Sequence, residues 1–417
     1  MNFKEAIDFL DNLIFLGIRP GTDRVKTALE MLGNPQNEYK TIHIAGTKGK
    51  GSVTTFISYI LKEAGFKVGT YTSPFVFVPN ERIQYDLEYI SDEDFAKTID
   101  KIRELNERLT LTDYGSLTEF EAKTIAAFIY FREKGADYAV IETGMGGRLD
   151  ATNVIIPEIS IVTNVDIDHT EFLGETIEEI AFEKAGIIKD NIPCITGARE
   201  KALDIISKVS KERKAPLFKL GEDFNFTHDI DNYFSFLSKK IHIEKLTPSL
   251  LGDFQKINAT IAVEAVLHLK ENIPVIAIKN GTQRAFLPGR FQIISSKPYY
   301  IIIDAAHNPF SGKILGEEIK KVKYNKIILI IGMLSNHSFT DFMNAFNIKC
   351  DFIVATKSSF HKAVDEKIIA KHAKKFSENI LVSSSVSEAM EIAKNLYSKG
   401  DLILVTGSFY TIGEVKI

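Results

Sequence analysis

The sequence predicts an α/β protein of two domains, and three observations predict it. Short apolar runs alternate with amphipathic helical patterns, as parallel strands joined by crossover helices require. The alternation breaks between 216 and 251 and resumes after the Pro-Gly punctuation of "RAFLPGRFQ" (284–292). At 417 residues the chain is also too long for one ordinary core.

In order, the amphipathic, acidic start "MNFKEAIDFLDNL" lacks the basic-then-apolar order of a signal peptide. "KTIHIAGT" (40–47) reads as a buried strand, and 52–64 as the helix after it. "FKVGTYTS" (66–73) is a second strand, followed by helical patterns at 91–109 and 118–134. Strands follow at "DYAVIETG" (137–144) and "EISIVTNV" (158–165), then a helix at 175–188 and a short strand, "PCIT" (193–196). The irregular stretch 216–251 predicts antiparallel hairpins, and 253–270 a helix. Beyond the linker, "YYIIIDAA", "KIILIIGM", "CDFIVAT" and "DLILVTGS" are strands of a smaller α/β domain of typical size.

The composition, 45% hydrophobic and 25% charged with a net charge of −4, provides no global field to recruit nucleic acid or an anionic membrane. No apolar stretch approaches the roughly 20 residues that span a bilayer. Two distant cysteines, Cys194 and Cys350, form no metal-binding pattern and point to a reducing, cytoplasmic compartment.

The chemistry concentrates where strands end. "GTKGKGS" (46–52) sits between a strand and a helix, which aims backbone N–H groups and the positive helix end at a phosphate. Lys50 is placed to bridge the outer phosphates. An ordinary Gly-rich turn with solvated lysines is the plain alternative. Gly51, however, stands where the usual loop of this kind places a magnesium-binding hydroxyl. A metal would need ligands from other strand ends on the same sheet edge. Ser73, Glu142 and His169 end or follow three such strands and together suit a hard cation that keeps waters. Each also has a plain reading: Ser73 as the start of a Ser-Pro turn, Glu142 as a partner of Arg148, His169 as a surface residue. "GMGGRLDATN" (144–153) lacks the glycine spacing of a dinucleotide loop and reads better as a substrate-contacting loop. Asp304 and His307, in "IDAAHNP", close the first strand of the second domain, where they suit a hydroxyl ligand or a helix cap. Lys184 reads only as a helix lysine.

The ordered strings "LGNPQ", "IHIAGTKGKGS", "YTSPFVFVPNERI", "LTEFEAKTIAAF", "ETGMGGRLDATN", "DHTEFLG", "EKAGIIK", "GDFQKINA", "LPGR", "IDAAHNP" and "VTGSFYTIGEV" resemble the folylpolyglutamate synthase and dihydrofolate synthase family of the Mur ligase superfamily. The resemblance runs almost end to end. It implies an N-terminal P-loop-type ATPase domain (1–287), with a mainly parallel sheet and a small antiparallel section. A smaller Rossmann-like glutamate-ligase domain (288–417) would follow. ATP would meet Thr47, Lys48, Gly49, Lys50, Gly51, Ser52, Asn258, Arg290, Asp304 and His307. Magnesium would be held by Ser73, Glu142 and His169, with a monovalent cation left open, and Lys184 would be carboxylated by carbon dioxide. Lys50, Lys184 and His169 are the implied catalytic residues. The pterin positions match Thr118, Glu119, Phe120, Glu121, Leu149, Asp150 and Ala151, with Gly21 as a further contact.

The implied reaction joins L-glutamate to dihydropteroate and to reduced folates through an acyl phosphate, in a cytoplasmic monomer with no nucleic-acid or membrane partner. The family's loop carries Asn where Lys48 stands, His at Phe75 and Gly at Ala305. These departures bear on nucleotide affinity and acceptor preference. A folate-only chain lengthener is the close alternative. A cell-wall ligase is disfavoured by Gly51, and a non-catalytic nucleotide-binding regulator by the joint presence of Ser73, Glu142, His169 and Lys184.

Overall fold

The computed structural model describes residues 1–229, 233–250 and 252–416. The chain divides into two compact units, the first comprising Met1–Pro74, Asn80–Ser249 and Gln255–Phe286, the second Phe75–Pro79, Leu250–Phe254 and Leu287–Ile417. Two short segments that precede residue 287 in sequence thus cluster with the C-terminal unit.

The strands of the first unit are β1 (Lys40–Ala45), β2 (Val68–Tyr71), β3 (Ile83–Tyr85), β4 (Glu88–Tyr89), β5 (Tyr138–Glu142), β6 (Ile159–Val162), β7 (Cys194–Thr196), β8 (Leu217–Lys219), β9 (Phe224–His228), β10 (Phe234–Ser238) and β11 (His242–Leu246). The first eight form one sheet in the order β4-β3-β2-β5-β1-β6-β7-β8. Pairing from β2 to β8 is parallel, while β3 and β4 add an antiparallel edge. The run "IHI" is apolar in alternation around His43 because β1 is buried on both faces, as an interior parallel strand must be.

The strands expected at 40–47, 66–73, 137–144, 158–165 and 193–196 are all present, slightly shorter than their apolar runs. The stretch 216–251 divides. Leu217–Lys219 joins the parallel sheet, and only β9 to β11 form the antiparallel sheet, its described residues lying on both sides of 230–232. The β3–β4 hairpin carries no strong apolar alternation, which is why sequence reading passes over it.

The helix Lys50–Glu63 buries Val53, Phe56, Ile57, Ile60 and Leu61. Burial on this scale contributes roughly 1.5–3 kcal/mol per large side chain and fixes the loop at the helix's N-terminus. The helix Glu119–Lys134 is anchored by a capping box in which Thr118 and Glu121 exchange bonds, and ends at Gly135 in the left-handed conformation.

The second unit holds β12 (Gln292–Ser295), β13 (Ile301–Ile303), β14 (Ile327–Ile331), β15 (Phe352–Ala355), β16 (Ile380–Val382) and β17 (Leu402–Thr406). They form one sheet in the order β12-β13-β17-β14-β15-β16, parallel except for β12. The segment Phe75–Pro79 places Val76 in this unit's core with Ile412 and Val415. No helix among the described residues is long and apolar enough to cross a membrane.

Candidate active site

The Gly-rich loop leaves β1 at its C-terminal end, the edge at which open parallel sheets bind ligands. Gly49 is the N-cap of the helix Lys50–Glu63 with φ 81°, a left-handed conformation that glycine adopts without penalty. A Cβ there would also lie 2.4 Å from Asn258 Oδ1. Thr118, Thr176 and Asn308 cap their helices with side-chain oxygens, whereas Gly49 supplies none, so the first amides of this helix face outward. Lys50 Nζ donates to the Gly46 carbonyl at 3.1 Å, which holds the ammonium over the loop.

The loop is clamped by the segment after β6. Thr163 Oγ1 donates to the Lys48 carbonyl at 2.6 Å, the Lys48 amide donates to Asn164 Oδ1 at 2.8 Å, and the Asp166 amide donates to Thr47 Oγ1 at 3.0 Å. The Lys48 ammonium pairs with Asp168 at 3.3 Å. The extra charge at this position is therefore partly neutralised within the loop's own clamp.

Glu142 ends β5, only 3% exposed, and its Oε2 accepts the Ser73 amide at 3.0 Å. This bond brings two proposed metal ligands together from adjacent strand ends. Arg148, the alternative partner, pairs instead with Glu183 at 2.7 Å. His169 follows the β6 end in a left-handed conformation, with its amide on Asp168 Oδ1. Desolvation lowers its pKa, opposed by Asp168 and reinforced by Lys50, Lys184 and Lys48, while the residue keeps solvent access. Among the described residues no three His, Cys, Asp or Glu side chains gather into a ready-made cage. One carboxylate, one hydroxyl and one imidazole fit a hard cation that completes its shell with water and phosphate oxygens.

Lys184 lies in the last turn of the helix Ile177–Ala185 and is 2% exposed. Burial, with Lys50 and Lys48 nearby, lowers its pKa to about 7, against the opposing charges of Asp168 and Asp150. Its helix is locked to the turn 144–148 by close glycine contacts. A Cβ at Gly147 would lie 2.8 Å from the Lys184 carbonyl oxygen, and one at Gly186 would lie 2.3 Å from Arg148 Cβ. The Arg148 amide donates to the Glu183 carbonyl at 2.7 Å across the same contact. The two glycine-containing strings, "GMGGR" and "EKAGI", are thus the two halves of one close approach.

The positions expected to meet the pterin also lie within this unit. Thr118 and Glu121 form the capping box, and Glu121 accepts two bonds from Arg24 Nε at 2.9 and 3.0 Å. Burial pushes the Glu119 carboxyl up, but Lys123 and Arg82 outweigh it and leave it below the usual carboxylate range. Phe120 packs on Gly144, where a Cβ would meet its ring at 2.4 Å. Gly21 joins the loop by donating its amide to the Leu149 carbonyl at 3.0 Å, and Ala151 is 5% exposed. Asp150 is buried, its carboxylate accepting the Met145 amide at 2.9 Å and the Thr152 amide at 3.0 Å.

In the second unit, Arg290 stacks its guanidinium 4.7 Å above the Phe409 ring. Asp304 accepts the amides of Phe291 and Ala306, both at 2.8 Å; burial raises its pKa and Arg290 opposes the rise. His307 contacts the Ala305 carbonyl at 2.8 Å and lies 4.7 Å from the His337 ring. Of these neighbours, Phe409, His337, Thr163, Asn164, Asp168 and Arg24 escape sequence reading. The strings "EISIVTNV", "DHTEFLG" and "VTGSFYTIGEV" contain Thr163, Asn164, Asp168 and Phe409 without marking any of them as a contact.

Residues 44–266 match the family model of the Mur ligase middle domain, and residues 289–409 that of the Mur ligase glutamate ligase domain. The chain is 33% identical over 427 residues to the dihydrofolate synthase/folylpolyglutamate synthase of Bacillus subtilis (strain 168), covering 99% of this chain and 98% of that protein. The structure of Escherichia coli FolC in complex with DHPP and ADP superposes with a TM-score of 0.90 at 29% identity, covering 99% of this chain and 96% of that one. A bifunctional folylpolyglutamate synthase/dihydrofolate synthase from Yersinia pestis, complexed with AMPPNP and Mn ion, gives 0.88 at 27% identity, covering 99% and 97%. The chain belongs to the dihydrofolate synthase/folylpolyglutamate synthase family of Mur ligases and is an ATP-dependent, amide-bond-forming ligase.

Proposed function

We propose that the enzyme adds L-glutamate to dihydropteroate, forming dihydrofolate, and to reduced folates, forming folylpoly-γ-glutamates. An oxygen of the acceptor carboxylate bonds to the γ-phosphorus of ATP as the bond to ADP breaks. The glutamate nitrogen then attacks the acyl carbon, loses a proton and expels phosphate. The observation that carries this reading is the gathering on one sheet edge of the Lys50 loop, the Ser73–Glu142 contact and the His169 segment. Such transfer rests on positioning and charge neutralisation.

Within that scheme the uncapped first amides of the helix Lys50–Glu63 and the Lys50 ammonium bind the phosphates, with Thr47, Lys48, Gly49, Gly51 and Ser52 shaping the cradle. Asn258 lines the loop, and Arg290, Asp304 and His307 contribute the remaining nucleotide contacts. Ser73, Glu142 and His169 would hold magnesium, which would supply charge neutralisation at the phosphates. Lys184 is carbamylated: its ammonium loses one proton, and the neutral nitrogen then bonds to carbon dioxide and releases a second, turning a buried cation into an anion beside the phosphate loop. Thr118, Glu119, Phe120, Glu121, Leu149, Asp150, Ala151 and Gly21 receive the pterin. We assign residues 1–287 and 288–417 to the ATP-binding and glutamate-ligase domains, and place the enzyme as a monomer in the cytoplasm, where its buried free thiols Cys194 and Cys350 stay reduced.

Phosphate release with ATP, Mg²⁺ and L-glutamate, run with dihydropteroate and with tetrahydrofolate, tests the acceptor range. Release with both acceptors is expected. Release with tetrahydrofolate alone reduces the enzyme to a chain lengthener, and silence with both removes the ligase reading for these acceptors.

A further inference from the structure

His43 occupies the middle of β1, fully buried, in a strand whose neighbours on either side are isoleucines. Its Nε2 lies 2.8 Å from Thr152 Oγ1, and Thr152 Oγ1 lies 2.5 Å from Asp150 Oδ1. Both Asp150 oxygens already accept backbone N–H groups, so the carboxylate is the acceptor and the Thr152 proton points to it. The threonine hydroxyl has one proton, so the 2.8 Å contact must be donated by His43 Nε2. A proton on Nδ1 would be buried with no acceptor among the described residues, and burial and Lys189 push the pKa down to about 3, so the imidazole is neutral with its proton on Nε2.

Nδ1 is then left buried without a hydrogen-bond partner among the described residues, a cost of about 1–3 kcal/mol that an apolar residue at this position would avoid. The sheet core gains nothing from a histidine here. The loop gains a fixed Thr152 rotamer and, through it, a fixed carboxylate around which residues 144–152 fold.

We propose that His43 and Thr152 are positioning residues for the acceptor substrate, donating in series from the sheet core to hold the Asp150 carboxylate and the loop that carries Leu149 and Ala151. This rests on the reading of 149–151 as pterin-binding. The relay acts on where the acceptor sits and not on the phosphate loop, which is clamped separately by Thr163 and Asn164.

The test is steady-state kinetics of the full-length enzyme, varying dihydropteroate and ATP in turn. His43→Leu and Thr152→Val remove the two donors. Each is expected to raise the acceptor KM roughly tenfold, as loss of one buried hydrogen bond implies, with the ATP KM unchanged. His43→Gln, which keeps a donor near the Nε2 position, and Thr152→Ser restore the acceptor KM. Thermal midpoints separate this from unfolding: His43→Leu removes a buried unpaired nitrogen and is expected to melt no lower than the parent. An unchanged acceptor KM in both donor-less variants, or an equal rise in both KM values, overturns the proposal. Asp150→Asn distinguishes the two levels of failure. If it raises the acceptor KM while His43→Leu and Thr152→Val do not, only the relay is wrong. If it too leaves that KM unchanged, the reading of the loop as pterin-binding falls and the relay with it.

Discussion

The unusual environment of Lys184 is invisible in the sequence. A lysine in the last turn of a helix is ordinarily a solvated charge; this one is 2% exposed, with a pKa lowered to about 7 chiefly by burial. A depressed pKa means that its neutral, nucleophilic form grows as pH rises through about 7. Activation of bicarbonate-depleted enzyme by added carbon dioxide should therefore strengthen between about pH 6 and about pH 8, measured as initial rate after brief preincubation. A flat response across that window contradicts carbamylation. Lys184→Ala should lower turnover roughly 100- to 1000-fold, the scale of losing one charge-stabilising group, while nucleotide titration shows ATP binding retained. Lys50, by contrast, was legible because glycines and lysine lie within one local string. The groups that clamp its loop were not. Thr163 reaches Lys48 across 115 residues, a separation over which local spacing carries no information.

At the scale of elements, the interlock between the turn 144–148 and the helix Ile177–Ala185 sets where Lys184 sits. Gly147→Ala would press a methyl group against the Lys184 and Glu183 carbonyl oxygens, at 2.8 and 2.9 Å, which backbone cannot yield cheaply. A loss of about 1–3 kcal/mol is expected, read as a lower midpoint in denaturant, together with reduced turnover because the lysine moves with its helix. An unaltered midpoint would show that the two segments separate freely. The parallel strands and their crossover helices were readable, since period and length set them. The edge hairpin β3–β4, the strand Leu217–Lys219 and β16 (Ile380–Val382) were not, because short strands are fixed by the neighbour they pair with. His43 was equally hidden: within a buried strand it reads as one residue of an apolar run, and its role emerges only from Thr152, 109 residues away.

At the scale of the whole molecule, sequence alternation and the Pro-Gly linker indicated two α/β domains. They did not indicate that Phe75–Pro79 and Leu250–Phe254 cluster with the C-terminal unit. Val76 is drawn there by apolar contact with Ile412 and Val415, a choice of partner that composition alone does not encode. The Gly-rich loop and Lys184 belong to the first unit, and Arg290, Asp304 and His307 to the second. The claim that unifies them is an acyl phosphate formed from the acceptor. The most direct test is isotope transfer: dihydropteroate labelled with ¹⁸O in its carboxylate is turned over with ATP and L-glutamate, and the released phosphate is weighed by mass spectrometry. The account predicts one ¹⁸O atom in each phosphate, because the oxygen that attacks the γ-phosphorus leaves with it. Unlabelled phosphate accompanying amide formation would contradict it.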